Sequence, residues 1–202
     1  MQRLIKIFFI IAALSIPLLI DARSVAAQPA RLSSAEAKRA VAARSQAVVR
    51  ALKLRDMRQL SSFVHPDRGL RVSPYVYVQS SDRVFTRAQV GSLARDNRRY
   101  LWGDADGTGD PIRMTARQFF SRFIYDKDFL RAREVNYNTV KGRGNTTNNI
   151  LDFYPNAIAV EYYMAGTNPR YDGMDWGGLW LVFEQKGDEW YLVGLASDEW
   201  TT

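Results

Sequence analysis

The chain has 202 residues, with 28 Lys and Arg against 21 Asp and Glu, one histidine and no cysteine. The absence of cysteine excludes disulfides, thiol catalysis, Cys-based zinc sites and a lipid-modified N-terminal cysteine, and a single histidine excludes a multi-histidine metal centre. Charge is uneven: residues 28–103 hold 15 basic and 5 acidic side chains, residues 104–202 hold 10 and 15, which fits either a basic face toward anionic lipid or polysaccharide or complementary solvated faces of helix and sheet.

Residues 1–6 carry Arg3 and Lys6 and no acid; a run of 14 uncharged residues, Ile7–Ile20, follows, then a polar stretch ending in Ser24-Val25-Ala26-Ala27. This is the order of a secretory signal peptide, residues 1–27, cleaved after Ala27 or Ala26. The apolar run is shorter than the roughly 20 residues of a spanning helix. Residues 28–202 therefore read as a secreted or periplasmic domain with no membrane span after cleavage. No internal repeat or low-complexity linker divides them, so one domain is expected. Export and the lack of a basic-aromatic motif argue against a nucleic-acid partner.

Ser33 and Glu36 form a capping box. Behind it Ala37, Ala40, Val41, Ala47, Val48, Ala51 and Leu52 recur at helical spacing. Asp56 caps a second helix with Leu60, Phe63 and Val64 inward, ended by His65-Pro66. Leu70–Val78 reads as a strand that Pro74 confines to an edge or a bulge. Thr86 opens a short helix, and Thr115 with Gln118 caps another that holds Phe119, Phe120, Phe123 and Ile124.

The last third is β: residues 134–140, 157–164, 179–185 and 189–196 are rich in β-branched and aromatic residues, and Lys186-Gly187-Asp188 is a tight hairpin. Helices followed by a meander predict an α+β domain, the N-terminal helices packed on a curved antiparallel sheet. In the last strands both alternating faces are apolar, Leu179, Leu181 and Phe183 against Trp180 and Val182. One face packs on helices; the other needs its own cover or lines a cavity.

Two helices, a connector and a meander ending in a tryptophan-rich strand resemble the cone of the nuclear transport factor two-like, cystatin-like superfamily. Five segments, HPDRGLRVSPYVYV (65–78), WGDADGTGDPI (102–112), YPNAIAVEYY (154–163), GMDWGGLWLVFE (173–184) and WYLVGLASDEWT (190–201), are similar to those of an uncharacterised family of exported bacterial proteins. The resemblance implies a pocket between sheet and helices and no particular activity. Members commonly carry a histidine just before the terminal acidic-tryptophan pair; Ser197 stands there in this sequence.

His65 is a weak general-base candidate without an orienting partner; its plainer role is a helix C-cap favoured by the dipole. Asp104-Ala-Asp106-Gly-Thr108-Gly109-Asp110 resembles the front of a calcium loop, but its twelfth position is Thr115, and a plain Asp/Gly turn accounts for it. Glu161 shares a strand face with Ala159 and Tyr163. If that face lines a pocket, Glu161 is a buried base with Tyr77 or Tyr163 as electrophilic partner. If the face is open, as one side of an antiparallel sheet commonly is, Glu161 is merely solvated, and that is the reading preferred.

In a meander alternate loops share an end, so residues 165–178 meet residues 197–202. Asp172, Asp175 and Trp176 are then expected near Asp198, Glu199 and Trp200, as a cation or sugar site or as closure of the sheet end. No cofactor or metal is implied. The reading that follows is an exported, non-enzymatic domain that binds a small ligand or an envelope partner. The alternatives are a cofactor-independent isomerase, dehydratase or hydrolase with a pocket carboxylate, and an assembly domain that forms a homodimer through its sheet.

Overall fold

The computed structural model describes residues 31–201, so the expected signal peptide lies outside the described residues. Helix α1 (Ser34–Lys53) opens on the expected capping box: Ser33 N and Oγ donate to Glu36 Oε2 at 2.9 and 2.6 Å. Its buried stripe is Ala37, Val41, Ser45, Val48, Val49, Ala51 and Leu52, whereas Ala40 is exposed. A serine is tolerated inside because its hydroxyl donates to Ala42 O and lies 2.9 Å from Tyr162 Oη. Helix α2 (Met57–Phe63) is capped by Asp56, whose Oδ1 accepts from Gln59 N at 2.9 Å.

Strands β1 (Leu70–Ser73), β2 (Arg83–Phe85), β5 (Glu134–Tyr137), β6 (Ile158–Met164), β7 (Gly177–Lys186) and β8 (Glu189–Glu199) form one sheet in the order β2-β1-β8-β7-β6-β5. Helix α3 (Arg87–Ser92) follows β2, β3 (Arg99–Asp104) and β4 (Pro111–Thr115) form a separate hairpin, and short helices α4 (Ala116–Phe119) and α5 (Ile150–Phe153) complete the chain. The architecture is α+β, as expected, but the sheet is mixed. β5 to β8 run antiparallel through the turn at Gly187, while β1 lies parallel to β8.

Two expected strands need correction here. Leu70–Val78 is a strand only to Ser73, because Pro74 has no N–H for the ladder. It is interior rather than an edge, since the short β2 folds back on its open side. The strand from Glu134 stops at Tyr137, where Asn138 turns left-handed at φ 50° and its side chain caps Ala159 N at 2.9 Å. The segment Asp104–Asp110 is the plain turn expected, and the β3–β4 hairpin it joins was unforeseen. There Ala105 N donates to Asp110 O at 2.7 Å, and Asp106 Oδ2 accepts from Thr201 and Thr146 hydroxyls. Among the described residues no group of three or more His, Asp or Glu is placed to hold a metal ion.

The two apolar faces of the sheet are both covered. Ile158, Val160, Leu179, Leu181 and Phe183 pack under the helices with an aromatic plug in which Trp102 stacks on Phe119 at 3.9 Å between centroids. Ala159, Trp180, Val182, Val193 and Ala196 on the other face are buried by Val76, Val78, Ile150 and Tyr154, supplied by the connecting segments. Asn149 ties these segments together: its Oδ1 accepts from Val78 N at 2.7 Å and its Nδ2 donates to Val78 O at 3.0 Å. Among the described residues no helix is long and apolar enough to cross a membrane.

Candidate functional site

The register decides where the acids go. Glu161 on β6 pairs with Trp180 on β7, and Gly178, one step along the same face of β7, pairs with Asp198 on β8. Two carboxylates from strands that are not neighbours therefore converge over a glycine. Built onto Gly178, a β-carbon would lie 3.6 Å from Glu161 Oε1 and 3.1 Å from Asp198 Cβ. Any larger residue there would separate the acids.

Glu161 is 1% exposed and Asp198 7%, so the preferred expectation of a solvated Glu161 is overturned. The face it occupies is closed over by the chain that follows β5. Asn136 Nδ2 donates to Glu161 Oε2 at 2.7 Å, and Arg143 Nε lies 3.8 Å from Oε1. The Arg143 guanidinium sits 3.6 Å above the centre of the Tyr163 ring and is also paired, with Lys141, to Glu134. Gly144 then rests against Trp176 and Asp198; a β-carbon there would come within 3.1 Å of Trp176 Cζ2 and 3.5 Å of Asp198 Oδ1.

Burial raises the Asp198 carboxyl to about 7, with the Glu161 charge adding to the rise. Burial likewise raises Glu161, opposed by the Asn136 hydrogen bond and Arg143. The Trp180 indole N–H approaches Asp198 closely enough to favour its anion but falls outside hydrogen-bond geometry, and is buried without a partner. Near neutrality the pair can hold and release a proton. It is, however, enclosed by Asn136, Arg143, Gly144 and the indoles.

The other sequence candidates are dispersed. His65 does not cap α2, whose C-cap is Val64. Its Nδ1 accepts from Asp67 N at 3.2 Å and Arg68 N at 3.1 Å, and its ring packs edge-on to Tyr191. Tyr77 is exposed in an open recess with Tyr75, Asp106 and Asn145, and neither its hydroxyl nor that of Tyr163 hydrogen-bonds Glu161. Of the expected sheet-end group, Trp176 and Asp198 meet through Gly144, whereas the other four do different things. Asp175 Oδ2 accepts from Thr167 N and Asn168 N at 3.0 Å each, which holds its carboxyl below the usual range. Asp172 is exposed at φ 47°, Glu199 accepts from Arg122 at 3.1 Å, and Trp200 is exposed.

Sequence reasoning missed Asn136 and Arg143. Arg143 had a signal, a lone charge between Gly142 and Gly144; Asn136 had none without the register. It also missed a groove of about 360 Å³ between the end of α1, the start of α2, the 3₁₀ turn after α3, and α4. Buried Leu52, Met57, Leu93, Ala116 and Phe120 form its floor, and Lys53, Arg55 and Arg117 stand in its lining. These residues come from four elements and the segments adjoining them, so no spacing in the sequence marks them.

No family model matches the chain, and no curated protein matches it significantly. Among solved structures it is similar to a Xanthomonas campestris protein described as a calcium/calmodulin dependent protein kinase II association domain. The identity is 13% and the TM-score 0.34, over 79% of this chain and 84% of that one.

Proposed function

We propose that the chain is an exported, non-enzymatic domain that binds a small ligand in the groove between α1, α2 and α4, on a cone-like α+β scaffold. The observation that carries this reading is the groove itself: an apolar floor of ordered core residues within the size of small-molecule sites, about 300–1,000 Å³. Glu161, by contrast, is enclosed and without a tyrosine partner, so a substrate meets it only if the chain over it moves. Assembly through an apolar sheet face has less support, because the chain's own segments cover that face.

Export is tested by the mass of the protein recovered from the envelope or the medium, which should begin at residue 28 or 27; an intact Met1 would refute cleavage. Ligand binding is tested by thermal-shift screening of a chemically mixed library, with Ala94→Trp as the filled-groove control. Ala94 is an exposed lining residue, so a larger side chain there blocks the groove without entering the core. Hits that bind equally well to Ala94→Trp would count against the groove.

A proton-transfer enzyme is the second reading, favoured by one observation: Asp198 is poised near neutrality beside a second carboxylate. Its test is loss of a detectable activity in Asp198→Asn.

A further inference from the structure

Resting on the ligand-binding reading of the groove, we infer that its ligand is a small amphipathic anion, with an apolar body on the Leu93–Phe120 floor and an anionic head against Arg55 and Arg117. Three cations and no carboxylate line the recess, an imbalance that a neutral or cationic ligand would leave uncorrected.

The three cations are not equivalent. Lys53 Nζ is paired with Asp128 Oδ2 at 2.7 Å, and Asp128 also accepts from the Tyr125 hydroxyl at 2.9 Å, so this corner is already balanced. Arg117 Nη2 donates to Ala94 O at 3.1 Å, a contact that positions the guanidinium at the groove without neutralising it. Arg55 has no side-chain hydrogen bond or ion pair among the described residues. It sits in the left-handed region at φ 53°, just past the C-cap Leu54 of α1, in a conformation that costs a non-glycine residue. Two guanidiniums without a carboxylate partner beside a buried apolar floor match a ligand with charge at one end and hydrocarbon at the other. Arginine presents a planar fork that takes a carboxylate, sulfate or phosphate oxygen pair, and the hydrocarbon gains by leaving water.

The floor explains why the head alone is not the ligand. Leu52, Leu93 and Ala116 are nearly fully buried, and Met57 and Phe120 are buried beside them. A bare inorganic anion would leave this surface wet. A chain or ring attached to the head would cover it.

The test uses three probes of one hydrocarbon length, decanoate, decanol and decyltrimethylammonium, titrated calorimetrically into the purified protein below their micellar concentrations, with melting temperature as a second readout. Decanoate should bind at least tenfold more tightly than decanol, and decyltrimethylammonium should not bind. The double variant Arg55→Glu/Arg117→Glu changes two exposed positions, and should melt like the parent while losing the preference for decanoate. If all three probes bind alike, or if the preference survives charge reversal, the anionic-ligand inference is overturned while ligand binding stands. If none binds and the broader library also gives no hit, the groove reading falls with it.

Discussion

Glu161 and Asp198 come from β6 and β8 and meet over Gly178 of the intervening strand, both buried. Three carboxylates, Glu134, Glu161 and Asp198, share this end of the sheet with two cations, Lys141 and Arg143. Burial, with the Glu161 charge adding to it, keeps a proton on Asp198 well above the ordinary range.

This has a signed consequence for stability. Asp198 titrates at 3.8 when unperturbed and about 7 in the fold, so between those values the native state holds a proton that the unfolded chain has released. Stability should fall as pH rises from about 4 to about 7 and then level off. Asp198→Asn removes the penalty. Urea denaturation should show the variant more stable than the parent at pH 8, by up to something on the order of 4 kcal/mol, and no gain at pH 4. Equal differences at both pH values would refute the assignment.

His65 should behave in the opposite sense. Its Nδ1 accepts two backbone N–H groups, which requires the neutral ring protonated at Nε2. Burial lowers its pKa, while Asp67 and Glu184 pull the other way. The native state then binds fewer protons than the unfolded chain just below pH 6.5, so stability is complete above that value and declines as pH falls toward the folded pKa. With a single histidine in the sequence, an untagged chain gives one imidazole titration by NMR. Its midpoint is expected below 6.5, and a midpoint above it would place the proton on the wrong nitrogen for this turn.

Gly144, on the chain after β5, rests against Trp176 and Asp198. Gly144→Ala adds a methyl that the rigid indole cannot yield to easily, and should cost about 1–3 kcal/mol. The lifted segment should also be cut faster by trypsin at Lys141 and Arg143. An unchanged melting temperature with unchanged cleavage would mean that this segment does not rest on the acid pair.

Much of the architecture was legible from local chemistry. The Ser33–Glu36 and Thr115–Gln118 boxes, the helix start at Thr86, the hairpin at Gly187 and the strands β6 to β8 are written in short-range patterns of caps, turns and alternating apolar residues. So was the need to cover both sheet faces, because Trp180 and Val182 oppose Leu179 and Leu181 whatever the partner strands are. The sequence also determined the chemical exclusions, since residues that are not present cannot act, and it alone supports export.

Tertiary structure decided the rest. The parallel pairing of β1 with β8 joins residues more than 100 positions apart, and no local preference encodes it. Whether Glu161 faced water depended on residues 136–144 folding back over its face. That Asp198 met Glu161, and not Asp172 or Asp175, depended on a register that places a glycine between them. The groove cations were separate positions on separate elements until the end of α1, the start of α2 and α4 were packed together. Periodicity tells which side chains share a face; only packing tells what lies opposite that face, and burial, charge and room for a ligand are all set there.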